Sequence, residues 1–372
     1  MSAYAVENRL RRWFTGEEHT NMKLTIPSNA EKILQVLNEN GYEAYVVGGC
    51  VRDSILDRNP NDWDITTSAS PYQVKELFPR TIDTGLQHGT VTVMMDKEGY
   101  EVTTYRVDGE YEDGRHPKQV TFTSSLEEDL KRRDFTINAM AYHPKEGLVD
   151  LFHGMDDMRN KIIRCVGDPL ERFHEDALRI MRAVRFSAQL GFEIEAETKA
   201  GISRLTPNLR NVSAERIQAE LVKLLVSPHP DYLRVAYETG ITREFLPEFD
   251  LCMETEQNTP YHCFTVGEHI LHSLLYVEAD KVLRLTMLLH DIAKPVMKTT
   301  DENGRDHFKM HAVKGEEMSK QILRRLKFDN DTIAQVSRLI RYHDDRPEGQ
   351  MKAVRRVVNR IGEDRKSTRL NS

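Results

Sequence analysis

Asp62 and Asp64 are separated by a single residue in the run Asn61-Asp62-Trp63-Asp64-Ile65. On an extended chain, side chains at i and i+2 share a face, so the two carboxylates are expected to project together at the start of a strand. Like charges side by side are costly unless a cation lies between them, and hard divalent ions such as Mg²⁺ prefer carboxylate oxygens. Such ions serve phosphoryl transfer by lowering the charge of the phosphates and activating an attacking hydroxyl. Glu101, in Glu101-Val-Thr-Thr-Tyr105, is the third acid expected to complete the cage.

Just upstream, Val46-Val47-Gly48-Gly49-Cys50-Val51-Arg52-Asp53 reads as a strand, a glycine turn and a helix start. Gly48 and Gly49 let backbone N–H groups approach a phosphate, the helix N-terminus adds partial positive charge, and Arg52 is placed to clamp a phosphate. Two glycines before a helix are usually a plain turn, and an Asp pair after Pro60 could equally decorate a surface. The two features a few residues apart favour a metal and phosphate site over either bland reading.

A second constellation lies in Arg172-Phe-His-Glu175-Asp176-Ala-Leu-Arg179-Ile-Met-Arg182-Ala-Val-Arg185-Phe186. Read as helical, this segment carries arginines at every third position, with Ala177, Leu178, Ile180, Met181, Ala183 and Val184 in the gaps. A helix this apolar is packed, so its charges must be paired with one another or face a polar cleft. Asp176 and Arg179, one helical turn apart, are expected to meet one ligand.

The third set is histidine-rich: His269, His290-Asp291, His311 and His343-Asp344, all on expected helices. The dipeptide at His290 follows the apolar run Leu283 to Leu289, which drives it into a bundle interior where polar groups need partners. Imidazole with carboxylate suits a divalent transition metal or Mg²⁺ at a hydrolytic centre, with Asp291 able to bridge metals. His262, His272 and Asp345 compete for ligand positions.

Gly48-Gly49-x-Val-Arg52-Asp53, Asp62-x-Asp64, Arg132-Arg133-Asp134-Phe135-Thr-Ile-Asn138 and Glu175-Asp176-Ala-Leu-Arg179 stand in an order and at spacings that resemble bacterial CCA-adding tRNA nucleotidyltransferases and poly(A) polymerases, in the superfamily related to DNA polymerase β. The likeness covers roughly Tyr42 to Leu225. It implies an α+β fold: a polymerase-β-like nucleotidyltransferase head on a small mixed sheet, then an all-helical neck and body. It implies Mg²⁺ on Asp62 and Asp64, contact of Arg133 with the incoming nucleotide, and support of that nucleotide by Arg182 and Arg185. The implied partners are tRNA, CTP and ATP, with pyrophosphate as product.

In that family the residues matching Asp176 and Arg179 choose the base. An aspartate accepts from an exocyclic amine and an arginine donates to a ring nitrogen. Cytosine and adenine offer that combination; uracil and guanine reverse it. The loop Asp108-Gly-Glu-Tyr-Glu-Asp113-Gly-Arg115-His-Pro117 resembles the element whose shortening marks CC-only enzymes, so addition of A is expected. A poly(A) polymerase or an A-adding enzyme stays open. About Tyr261 to Arg346 resembles the HD domain fused to some CCA-adding enzymes. There the likeness implies His269, His290, Asp291, His311 and Asp344 as ligands, and an HD phosphohydrolase as the main activity also stays open.

The elements that must position these residues divide the chain. From Ile33 to Phe152 the pattern is mixed: a helix at Ala30 to Asn38 is followed by strand-like runs at Ala44 to Val47, Thr90 to Met95 and Tyr100 to Tyr105. Beyond Asp168 apolar residues recur at helical spacing, broken by Pro and Gly. The expected divisions are an extension over 1–21, a head over 22–152, a neck and body over 153–255, an HD domain over 256–348, and an irregular or truncated segment over 349–372. A chain of 372 residues is long enough for several cores. No stretch approaches the ~18 apolar residues of a membrane helix, and no signal peptide is read at the start. Four scattered cysteines suggest free thiols and a cytoplasmic setting. A net charge of −7 argues against indiscriminate coating of nucleic acid, and leaves room for local basic patches. Arg204, Arg210 and the Lys352 to Arg360 run are expected to track the tRNA backbone.

Overall fold

Ala44-Tyr45-Val46-Val47 forms strand β1 (Ala44–Val47), and all four residues are buried. A strand apolar on every residue must be covered on both faces, and β1 lies near the middle of a seven-stranded sheet. The structure, a computed structural model, describes residues 22–109, 120–258 and 264–345. The further strands of this half are β2 (Ile65–Thr67), β3 (Thr81–Gly85), β4 (Thr90–Met95), β5 (Glu98–Thr104), β6 (Arg106–Asp108), β7 (Val120–Phe122), β8 (Met140–His143) and β9 (Gly147–Asp150). The sheet order is β3-β4-β5-β2-β1-β8-β9, and β6 pairs with β7 apart from it. Only the β2–β5 pairing within the large sheet is parallel.

Two units emerge: Met1–Asp176 with Glu193–Thr198, and Ala177–Phe192 with Lys199–Ser372. The first holds the sheet. The helix Ser28–Glu39 lays Ile33, Leu34 and Leu37 against it, each such burial stabilising by about 1.5–3 kcal/mol. The helices Gly154–Asn160 and Pro169–Glu175 group with this unit, beyond the expected head boundary at 152. So does Glu193–Ile194, which pairs in parallel with Ile162–Ile163.

The second unit is helical, apart from a two-residue ladder between Thr299–Thr300 and Asp306–His307. Helix Leu178–Leu190 packs on Ala214–Leu225. Farther along, Val266–Leu275, Lys281–Leu289, His311–Arg325 and Asn330–Arg341 form a bundle. Three of these four helices start on side-chain caps from Thr265, Asp280 and Asp329, each satisfying an N–H that the first turn leaves open.

Candidate active site and metal centre

The glycine turn and the acids meet at the parallel seam. Ile65 of β2 and Val102 of β5 are register partners, so Asp64 and Glu101, each one residue earlier, flank the same rung. Asp64 is outside the strand, as is Asp62; β2 begins at Ile65, three residues later than a strand starting at Asp62 would. The Asp64 carbonyl nevertheless accepts from Val47 N–H at 3.0 Å, which ties the acidic segment to the end of β1 beside Gly48. All three acids keep solvent-accessible surface. Protein packed around Asp64 raises its carboxyl; Asp62 adds to the push and Arg133 opposes it. Glu101 is raised likewise, by burial first and then by Asp64 and Asp62. Carboxylates whose neighbours oppose the ionisation of Asp64 and Glu101 are what a cation would relieve.

Gly48 turns with φ +81° and precedes the helix Gly49–Ile55. A Cβ there would lie 2.9 Å from Arg133 Nη1, so the guanidinium crosses directly over the turn. Arg133 also lies 3.6 Å from the fully buried Asp129, which takes two hydrogen bonds from Arg132 and one from Thr66. Burial works to raise the Asp129 carboxyl, but the two arginines and these hydrogen bonds hold it low. Asp129 was not legible as part of the site.

Arg52 lies at the turn, its Nη2 3.6 Å from where a Gly49 β-carbon would sit, and is engaged within the protein. It is 7% exposed, and its guanidinium donates to Asp53 at 2.9 Å and to Asn138. Asn138 donates in turn to Asp134 at 3.1 Å. This is a brace beneath the turn, and it explains Asn138 in the Arg-Arg-Asp stretch.

Asp176 closes the helix Pro169–Glu175 with extended backbone, φ −144° and ψ 104°, and the next helix begins at Leu178. The single helix expected through Asp176 and Arg179 is therefore two. Aspartate is a poor interior helix residue because its side chain competes for the backbone. Arg179 and Arg182 are half-buried. Arg185 is buried, donating to Glu220 and, at 2.9 Å, to Gln189, with its guanidinium carbon 3.8 Å from the Phe186 ring centroid.

In the second unit, four helices deliver His269, His290, His311 and His343 to one point. Asp291 Oδ2 lies 3.6 Å from His269 Nε2 and 3.3 Å from His290 Nε2. Its Oδ1 lies 3.3 Å from His311 Nε2 and 3.6 Å from His343 Nε2. His269, His290 and Asp291 form one set with ligand atoms within 4.8 Å, and Asp291, His311 and His343 form another. Nδ1 of His290, His311 and His343 lies 2.7–2.8 Å from the carbonyl three residues back. Because a carbonyl can only accept, Nδ1 donates and Nε2 faces inward, where it donates to Asp291 while protonated and can ligate a metal once deprotonated. Burial opposes ionisation of Asp291, and the surrounding imidazoles overcome it, so the carboxyl stays well below its usual range.

His343 belongs to this cluster; the sequence points instead to its neighbour Asp344, whose side chain is 58% exposed and lies 3.2 Å from His311. Lys294, also missed, places Nζ 2.8 Å from Asp291 Oδ2. His272 stacks on Phe264 and stands apart from the cluster. His262 lies outside the described residues, as do residues 110–117 of the expected loop and Lys352 to Arg360.

Residues 44–164 match the poly(A) polymerase head domain, 191–253 a probable RNA and SrmB-binding site of polymerase A, and 260–370 the HD domain. The crystal structure of the Bacillus stearothermophilus CCA-adding enzyme in complex with CTP superposes with a TM-score of 0.71 and 34% identity, covering 89% of this chain and 74% of that one. The chain belongs to the CCA-adding enzyme family. The CCA-adding enzyme of Lactobacillus helveticus (strain DPC 4571) is 56% identical over 221 residues, 59% of this chain and 55% of that protein. That of Enterococcus faecalis (strain ATCC 700802 / V583) is 52% identical over 209 residues, 55% and 52% respectively. The chain thus spans about half the length of the curated relatives it matches. Membership of a nucleotidyltransferase family carries dependence on a divalent metal, and the His/Asp cluster of the second unit is spaced to hold one. Among the described residues no helix is long and apolar enough to cross a membrane.

Proposed function

We propose that this protein adds C, C and A to the 3′ end of tRNA from CTP and ATP, releasing pyrophosphate. The supporting observation is the placement of Asp64 and Glu101 on one rung of the parallel β2–β5 seam, with Arg133 over the adjacent glycine turn. The terminal 3′-hydroxyl attacks the α-phosphorus of the nucleotide. A P–O bond forms there, the bond to the β-phosphate breaks, and pyrophosphate leaves. Asp62 and Asp64 hold Mg²⁺, which when bound lowers the phosphate charge and the pKa of the attacking hydroxyl. Glu101 adds the third carboxylate.

Gly48 and Gly49 give the triphosphate room against the backbone, and Arg133 supplies positive charge to it. Arg52 braces the turn from beneath. Asp176 accepts from the exocyclic amine of C or A while Arg179 donates to the neighbouring ring nitrogen, and Arg182 assists. Arg185 supports them by anchoring its helix to Glu220. We assign 22–152 to the head, 153–255 to the neck and body, 256–348 to the HD domain and 349–372 to a C-terminal segment. Arg204, Arg210 and Lys352 to Arg360 are assigned to the tRNA backbone, so binding weakens steeply with salt. Cys50, Cys165 and Cys252 are buried and form no disulfide among the described residues, in keeping with a cytoplasmic setting.

The HD centre is read as a second, hydrolytic site for a divalent transition metal or Mg²⁺. His269, His290, Asp291, His311, His343 and Asp344 supply its ligands, and phosphate esters are its substrates.

The test is incubation of the protein with tRNA transcripts lacking CCA, Mg²⁺ and labelled CTP plus ATP, beside Asp62→Ala and Asp64→Ala. Three added residues ending in A, lost in both variants, are expected. A long adenosine tail selects poly(A) polymerase. Extension only of transcripts already ending in CC selects an A-adding enzyme. No incorporation by folded wild type overturns the reading in favour of the HD phosphohydrolase.

A further inference from the structure

The second unit contains a pit of about 340 Å³ lined by Arg243, Pro247, Glu248, Asp250, Leu251 and Glu254. At its base Asp250 is only 6% exposed. One oxygen of Asp250 accepts from the Thr242 hydroxyl, whereas the other, Oδ2, has no hydrogen-bond partner. The nearest cation, Arg243 Nε, stands 3.7 Å from Oδ2 on a side chain that is 71% exposed, beyond hydrogen-bond reach. A buried carboxylate oxygen without a donor is costly and marks a place for one.

The rest of the lining narrows what the donor can be. Glu248 is already satisfied by two bonds from Arg325, at 2.8 and 2.9 Å. Glu254 lies one helical turn beyond Asp250 on the same face; burial raises the Asp250 carboxyl, Thr242 and Arg243 oppose it, and the Glu254 charge adds to the push, leaving it raised. Pro247 and the half-exposed Leu251 supply apolar wall. With Glu248 neutralised by Arg325, Asp250 and Glu254 still outnumber Arg243, so a phosphate is disfavoured as occupant, although the lining residues other than Glu254 fall within the stretch matched by the RNA-binding description. A hydrated divalent ion has little use for the apolar wall.

We propose that this pit binds a free alkyl diamine or polyamine, one ammonium on Asp250 Oδ2, its methylenes along Pro247 and Leu251, and a second ammonium at Glu254. The amine completes the buried carboxylate, and the two carboxylates one turn apart match two charges joined by a short chain.

The test is calorimetric titration of the full chain with putrescine, with n-butylamine, N-acetyl-lysine amide and Mg²⁺ as comparators. One putrescine per chain is expected, tighter than butylamine, undisturbed by Asp62→Ala, and weakened about tenfold or more by Asp250→Asn. Glu254→Gln, at an exposed position, gives a smaller loss and serves if Asp250→Asn fails to fold. No saturable binding, or binding indifferent to both substitutions, overturns the proposal. So does Mg²⁺ binding with the same dependence on Asp250. Tighter binding of the lysine derivative than of putrescine assigns the pit to a protein side chain and overturns the free-amine reading.

Discussion

Arg133 Nη1 lies where a β-carbon on Gly48 would come within 2.9 Å of it. Gly48→Ala therefore meets two obstacles at once: a φ of +81°, costing about 1–2 kcal/mol for an L-residue, and displacement of the guanidinium over the turn. The expected outcome is a folded protein with CTP incorporation reduced about tenfold or more and a raised KM for CTP. Initial rates across a CTP series check this, and an unchanged KM with full rate would sink the role given to Arg133.

Arg185 and Glu220 are 6% and 4% exposed. Arg185→Met strands a buried carboxylate and is expected to cost about 3–5 kcal/mol. The double change Arg185→Met with Glu220→Leu should recover most of that loss. Denaturant unfolding of the two variants measures it; a single variant as stable as wild type would show the pair to be idle.

His343→Ala should weaken divalent-metal binding by the second unit at least as much as loss of an outer-shell partner does, about 10–100-fold. Asp344→Ala, removing a more exposed carboxylate, should cost less. Titration with Mn²⁺ and Ni²⁺, read by calorimetry, separates the two. The reverse ranking would return the ligand role to Asp344.

Asp306 carries a pH signature. Burial opposes its ionisation, but the Asn258 N–H at 2.7 Å, the Thr300 hydroxyl at 2.7 Å and Lys298 at 2.9 Å hold its pKa down at about 2. A carboxyl depressed on folding contributes stability above its unfolded pKa and loses it as pH falls through the folded one. The contribution, about 2 kcal/mol, is complete at pH 5 and above and disappears between about pH 4 and 2. Asp306→Asn should therefore be destabilised at pH 7 and converge on wild type in acid. A stability gap that widens on acidification would contradict the assignment.

Residues whose chemistry depends on near neighbours in the chain were legible from the sequence. The glycine turn at Gly48 was read from short-range signals, as was the proximity of Asp62 and Asp64 though not their place before β2, and the mixed first half and helical second half follow from hydrophobic period. Arg52 was not legible, since the Asn138 that draws it inward lies 86 residues away. Asp129 was hidden for the same reason: its partner Thr66 sits on β2. Asp176 was misread as helical because an apolar period running on through it outweighed one weak helix former. In the HD cluster the dipeptide at 343–344 pointed to the place, but that His343 faces Asp291 while Asp344 reaches His311 depends on how two adjacent side chains turn, which sequence does not give.

The local bonds at the metal cluster bear on how such a centre can be moved. His290, His311 and His343 each take their aim from a carbonyl three residues earlier, at Met287, Phe308 and Ile340. Each ligand is thus a four-residue clip that carries its own orientation. Three such clips would carry the aim of the imidazoles into a foreign bundle, whereas Asp291, shared by both sets and 2% exposed, would still need a core built around it.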